Sequence, residues 1–416
     1  MLKNGFKKKS NTIPEKLLKK RHAKEARFKF YGLATIVLVI SVLAILLFGI
    51  VAKGYKAFYR STIITEVYLD PVVIKYDPAN PRTSLAETDF SALLTSPLSK
   101  EETLGLYSAN YSIELFQYME ANPQLIGTKQ KIKLTANDNV DRYLRKPLNK
   151  SSLKLTKHQM DFVADLKKQK LVKKEFNKAF FTSGDSREPE RAGIFGAIVG
   201  SVYVIIVALL VAFPLGIGTA IFLEEFAPKN SIINSLEVNI ANLAAVPSII
   251  FGLMGLAVFI NFMSLPRSSA LVGGLTLALM TLPTIVITAR SALQTVPLAI
   301  KQAAQSLGAS PIQMVFQQVL PIAMPGIMTG TIIGTSRALG ETAPLLMIGM
   351  VAFIIDIPDS LLEPATVLPV QIFNWARNPE PGFIENTAAA IMVLLLFIII
   401  MNLGAIILRK KYEHKW

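Results

Sequence analysis

Six apolar runs, each of about 20 residues or more, dominate this chain and leave few folds open to it. They are Tyr31–Ala52, Ala192–Leu223, Ile232–Phe262, Ser268–Ala289, Gly326–Met350 and Thr387–Leu408. In hydrocarbon every backbone N–H and C=O must be paired within the protein, so runs of this length are read as spanning helices. The composition agrees: 51% of the 416 residues are hydrophobic and the mean hydropathy is +0.43. The expected fold is an all-α polytopic membrane protein with six transmembrane helices.

The net charge of +15 is unevenly spread. Residues 1–30 carry eleven Lys/Arg against two acidic residues, and 53–191 carry 23 against 17. Beside a spanning run, a basic tail is a topology signal rather than a nucleic-acid site. The first run is too long for a signal-peptide core and Ile50 sits where a cleavage site needs a small residue. We therefore expect residues 1–30 to be a basic cytoplasmic tail, 31–52 a first transmembrane anchor, and 410–416 a second cytoplasmic tail. That places 53–191 and the loop 352–386 outside, and the loop 290–325 inside. The segment EEFAPKNS, assigned inside by this count, is slightly acidic and gives the topology no support.

Residues 53–191 have their own elements. STIITEVYLD is rich in β-branched residues and predicts a strand, KIKLTAND an alternating strand, and SPLSKEETLGLYSANYSIELFQYMEAN a helix. Thr156 and Gln159 fit a capping box. The segment is expected to be an α+β extracytoplasmic domain, with Lys167, Lys168, Lys170, Lys173 and Lys174 on a solvated face. It contains no convincing nucleophile–base or metal-ligand cluster. The chain has no cysteine and only His22, His158 and His414, which disfavours thiol chemistry and histidine metal sites.

Two stretches carry the candidate chemistry. Pro325–Met350 is expected to form one spanning helix with Arg337 and Glu341 four apart on one face. A mid-membrane charge is costly, so such residues face a cavity or a partner. Gly326, Gly330, Gly334 and Ala338 repeat every four residues, a ridge that lets another helix approach closely. Pro344 is expected to weaken the helix just past Glu341. Arg337 either lines a path for an anion or forms a structural pair with Glu341. The preceding loop reads as two short helices. Thr295 caps the first and Gly308 ends it, Ser310 caps the second with Pro311 in its first turn, and Pro321 and Pro325 stop it.

That loop, QAAQSLGASPIQMVFQQVLP, resembles the EAA loop of ABC-importer permeases. It matches at Ala303, Ala304, Gly308, Leu320 and Pro321, and departs at Gln302 and Gln318. AAVPSIIFGL, LPTIVITARSALQTVP and RALGETAPLL are similar to the phosphate-specific transport permeases, the last to their A-type, PstA-like, subunit. The resemblance covers roughly 190–408, leaving 53–191 as an amino-terminal extension. It implies an inner-membrane permease core over 192–409, with five transmembrane helices and the loop 290–325 as a docking site for a separate ABC ATPase dimer. A second, C-type permease subunit and an extracytoplasmic phosphate-binding protein would complete the importer. No G-x-x-x-x-G-K-[ST] stretch occurs, so no enzyme activity and no cofactor are expected in this chain, ATP being used by the partner. Membrane lipid is an expected partner and nucleic acid is not. A permease for sulfate or molybdate, or a self-contained secondary transporter, are the rival readings.

Overall fold

The computed structural model describes residues 15–145 and 154–412. The first half of the basic tail and the last four residues lie outside them.

Residues 1–52 form one unit, whose described part belongs to the helix Glu15–Gly54. The helix begins well before the apolar run, so residues 15–30 are helical rather than an extended tail. Strong helix formers (Glu15, Lys16, Leu17, Leu18, Lys19) start it, and nothing between them and Tyr31 breaks it.

The second unit, from Lys53 on, opens with a three-stranded antiparallel sheet in the order β2-β1-β3. The strands are β1 (Tyr59–Tyr68), β2 (Lys129–Thr135) and β3 (Val172–Phe176). β1 lies in the middle, with Thr65 opposite Ile132 of β2 and Thr62 opposite Lys173 of β3. Alternation sends Ile132 and Leu134 inward and Lys129, Lys131 and Lys133 to solvent. The helices Tyr111–Ala121 and Lys157–Lys168 cover the inner face, packing Leu115, Met119, Val163 and Leu166 on Ile63 and Val67. The Thr156–Gln159 capping box is present. The single helix expected over 96–122 is two, Lys100–Leu104 and Tyr111–Ala121, interrupted where Tyr107 bridges to Ala136 beyond β2. β3, unassigned in the sequence, carries Lys173 and Lys174.

Four long helices follow: Phe195–Ile221, Ala270–Gln294, Leu320–Gly340 and Gly382–Tyr412. The run over 232–262, which Val246-Pro247-Ser248 is expected to break, is a bent pair, Ser231–Ala244 and Ser248–Phe262, turned by 100°. Pro247 has no N–H to continue the first helix, and its ψ of 136° starts the second. Taken together, the pair is long and apolar enough to count as one candidate span. It begins near the carboxyl end of Phe195–Ile221 and ends before Ala270, where Leu271 N–H donates to Leu361 O. Counting the pair as one, the described chain has six candidate spans.

The helix Ala270–Gln294 is the centre of this bundle. One side contributes Val272, Leu277 and Met280 to a core shared with Val204, Ala208 and Leu345. Its other end places Ala289, Ala292 and Leu293 among Ile217, Ile221 and Val319. The 352–386 loop holds a buried helix, Leu368–Ala376, whose Trp375 Nε1–H donates to Asp185 at 2.8 Å.

Candidate functional site

The bundle has two ends, and the candidate residues divide between them. At the end carrying residues 222–237 and 290–319, the loop is half embedded. Leu298–Ser306 is its first helix, and Ala304 packs with Met314, Val315 and Val319. Gln302 and Ala303 are exposed, and Leu307 stands 90% exposed beside Gly308, whose φ of +87° turns the chain. Ser310 and Gln313 form a reciprocal capping box. The outcome is a fixed corner presenting Leu298, Leu307, Ile312 and Phe316 outward.

Two expectations for this loop are corrected. Thr295 does not cap Leu298–Ser306: it ends Ala270–Gln294, its Oγ1 donating to Ala292 O at 2.7 Å, while Pro297 occupies the cap position. The carbonyl three residues back is simply the nearer partner for that hydroxyl. Nor do Pro321 and Pro325 stop the second helix, which runs continuously from Pro311 to Gly340. A π-turn over Val315–Val319 has Leu320 N–H donating to Val315 O. Pro321 then falls in the first turn of the next α stretch, where a missing N–H costs little.

Ion pairs that the sequence did not suggest tie this corner to the bundle. The chain leaves Phe195–Ile221 through a second π-turn, Phe222–Phe226, which turns Glu224 and Glu225 inward. Arg290 Nε donates to Glu224 at 2.9 Å and Arg290 Nη1 to Glu237 at 2.8 Å. Gln294 adds a bond to Glu224 at 2.9 Å. Lys301 Nζ meets Glu225 Oε1 at 2.6 Å, the two side chains being 16% and 5% exposed. Arg290, which pairs with both Glu224 and Glu237, is the centre of this clasp. Each partner lies more than 50 residues from its mate, so no local pattern signals the pairing.

The Leu320–Gly340 helix turns its glycine ridge to Ala270–Gln294. A Cβ at Gly326 would stand 2.8 Å from Ala292 Cβ, and one at Gly330 would collide with Thr288. Gly334 faces Thr284 and Ala338 is buried. A second side holds Gly382–Tyr412, with Ser336 Oγ bonded to Asn402 Oδ1 at 2.6 Å and Arg409 to Thr329 at 3.0 Å. The third side, Ile333, Arg337 and Gly340, is open.

The expected helix from Pro325 to Met350 is not one helix. It ends at Gly340, Glu341 is extended (φ −78°, ψ 127°), and a short helix, Ala343–Met347, resumes. Pro344 cannot supply an N–H to the Gly340 carbonyl, so the chain breaks one turn earlier than its hydropathy suggests. Arg337 therefore sits in a last helical turn, where a cation suits the carbonyl end of the helix. Glu341 reaches back to it across the break, Nε to Oε1 3.6 Å, with Arg337 64% and Glu341 21% exposed. Beside the break, Gly252 of the bent pair approaches the Pro344 backbone so closely that a Cβ would lie 2.7 Å from it. Two interrupted helices thus meet at one level next to an exposed guanidinium.

Broken helices beside a charge, a helix ridge packed without side chains and a rigid apolar corner at one end define a class: a membrane transport subunit that works against other chains. Residues 212–414 match the family described as binding-protein-dependent transport system inner membrane component, and 15–154 match a domain of unknown function (DUF3333). The chain is 30% identical over 241 residues to the probable ABC transporter permease protein YqgI of Bacillus subtilis, covering 54% of this chain and 81% of that one. It is 32% identical over 219 residues to the phosphate transport system permease protein PstA 1 of Mycobacterium tuberculosis, covering 52% and 70%. It is also 31% identical over 253 residues to PstC, a phosphate transport system permease protein of Haemophilus influenzae, covering 54% and 79%. A solved inward-facing MetNI methionine ABC transporter chain aligns at 15% identity and a TM-score of 0.40, over 53% of this chain and 95% of that one. The chain belongs to the ABC transporter permease family of binding-protein-dependent transport systems.

Proposed function

We propose that this chain is one of two permease subunits of an ATP-driven importer of inorganic phosphate. The observation that carries the reading is the corner at Leu307–Gly308. It is rigid, apolar and outward-facing, and is tied by Lys301 and Arg290 to the helices that surround the charged helix end. Such a corner suits a groove on a separate cytoplasmic ABC ATPase dimer, which would bind ATP. Both termini and this corner then lie in the cytoplasm, and residues 55–194 lie outside, where an extracytoplasmic phosphate-binding protein would deliver its anion. The bent pair offers exposed Ile232, Leu236, Val238, Ile250 and Leu253 to the second permease. The relatives named above as phosphate permeases support the choice of anion, and RALGETAPLL supports the A-type role.

In this reading Arg337 contacts the passing anion. A guanidinium matches a phosphate oxyanion through two parallel hydrogen bonds. Its pairing with Glu341 at 3.6 Å is long for a tight ion pair, which suits a path that must release what it binds. Arg337→Gln is expected to assemble with the ATPase and second permease while phosphate uptake into vesicles falls at least tenfold. Normal assembly with normal uptake would refute the role, and displacement of phosphate uptake by sulfate or molybdate would refute the anion.

A further inference from the structure

A cavity of about 650 Å³ opens where the sheet domain meets the segment 179–191 and the loop residues Phe353 and Ile355. Three arginines line it: Arg60 at the start of β1, Arg187 and Arg191. Among the described residues, arginine ion pairs are made by Arg82, Arg145, Arg290 and Arg337, and by none of these three. Arg60 Nε is buried with no hydrogen-bond partner, and Arg187 rests against the Phe353 ring, 5.7 Å from its centroid.

The carboxylates of the same wall are engaged elsewhere. Glu114 accepts from Thr135 N and Oγ1 at 2.8 and 2.5 Å. Asp185 accepts from Trp375 Nε1 and Ser186 N at 2.8 Å each. Glu188 accepts from Ser108 Oγ and Ala109 N at 3.2 Å each. Neutral donors hold all three, so the guanidinium donors stay available to a ligand. The wall is also fixed in shape. Gly184 lies on the Ile355 carbonyl with no room for a Cβ, and Gly193 N–H donates to Gly184 O at 2.8 Å.

We propose that this cavity binds a tetrahedral oxyanion, inorganic phosphate, on the side of the membrane that carries the sheet domain. Guanidinium groups present planar pairs of donors to oxyanions, and an unpartnered buried Nε is a donor awaiting an acceptor. The volume admits the anion with part of its water shell. An anion arriving at this end would be held there before it reaches the helix break at Arg337. The choice of phosphate rests on the function proposed above; the assignment of an oxyanion site does not.

The test is equilibrium dialysis of radiolabelled phosphate against the full chain in nanodiscs, with sulfate and chloride as competitors. One saturable site is expected, with affinity reduced at least tenfold in R187Q/R191Q and in R60Q. R82Q, which removes an exposed pair with Glu120, should bind as the wild type does. R187Q/R191Q decides the matter if R60Q fails to fold, since Arg187 is exposed and Arg191 half-buried. Wild-type binding no stronger than that of chloride, unchanged binding in R187Q/R191Q, or loss of binding in R82Q would each overturn the site. Phosphate uptake by the assembled importer, measured in parallel, separates that result from a failure of the permease reading. Sulfate that phosphate cannot displace would overturn the choice of anion.

Discussion

The Lys301–Glu225 pair gives a sharp prediction because it is short, buried and far apart in sequence. Lys301→Met leaves the Glu225 carboxylate, 5% exposed, without its counter-ion. Removing one partner of a buried pair costs roughly 3–5 kcal/mol, whereas replacing both with apolar groups is often neutral. Lys301 keeps 16% exposure, and solvent at that side places the expected cost near the lower edge, about 3 kcal/mol. At 1.4 kcal/mol per tenfold change, the local opening of Leu298–Ser306 should rise by about 100-fold. Hydrogen exchange at Leu307 and Gly308, whose amides bond to Ala303 O and Gln305 O, reads this opening directly. Glu225→Leu/Lys301→Met should return exchange to within about 1 kcal/mol of wild type, because no unpaired charge remains. In the assembled importer the single variant should hydrolyse ATP while transporting less phosphate per ATP. A coupling energy below about 0.5 kcal/mol across the double-mutant cycle would refute the argument.

Four further outcomes follow from packing and burial. Gly330→Val should reduce the yield of monodisperse protein in size-exclusion chromatography, because Thr288 occupies the space of its side chain; overpacking of this kind costs about 1–3 kcal/mol or more. Gly334→Ala should be tolerated, since Thr284 Cγ2 lies at an ordinary 3.8 Å. Trp375→Phe leaves Asp185 buried without its indole donor and should lower stability by about 1–3 kcal/mol, read as a lower unfolding temperature. Burial raises Asp138 and Glu190 to about 7, against a partial opposing effect of Arg142 at Asp138 and with the reinforcement of Glu188 at Glu190. The folded state therefore holds protons that the unfolded chain releases above the usual carboxylate range. Stability from these groups is complete below about pH 4 and lost as pH rises through 7. Thermal unfolding between pH 5 and 8 should show this fall, and Asp138→Asn should flatten it; an equal slope in the variant would refute the assignment.

The spans were legible because burial in hydrocarbon leaves long apolar runs, and Pro247 signalled the bend at its own position. The sheet strands β1 and β2 were legible from β-branching and alternation. β3 was not, because Val172–Phe176 carries Lys173, Lys174 and Glu175 in one run and pairs only along one edge of β1. The end of the charged helix was signalled by Pro344, expected to weaken it just past Glu341; the helix in fact stops at Gly340, because Pro344 removes the N–H that would pair with that carbonyl. Pro321 misled in the opposite direction: a proline reads as a stop unless a π-turn has already shifted the backbone pairing. Gln302, Ala303, Ala304 and Gly308 were singled out by the resemblance of their loop to the EAA pattern, while the clasp around Arg290 depends on helices that only the fold brings together.

The clasp also accounts for the acidic loop that gave the expected topology no support. Glu224 and Glu225 are not free surface charges weighed against neighbouring lysines; they are internal counter-ions to Arg290 and Lys301. Their sign follows from the work of joining Leu298–Ser306 to the end of Phe195–Ile221, so counting them in a positive-inside balance mixes two kinds of charge. The same geometry gives a force applied at Leu307 two routes into the bundle. One follows the chain through the π-turn at Val315–Val319 into the Leu320–Gly340 helix and its break at Glu341. The other crosses the Lys301–Glu225 pair to Phe195–Ile221, and through Arg290 and Glu237 to the bent pair, whose Gly252 abuts Pro344 on the far side of that break. Both routes end on residues flanking Glu341. A variant that severs only the clasp should therefore reduce transport per ATP, whereas one that stiffens both breaks should abolish it.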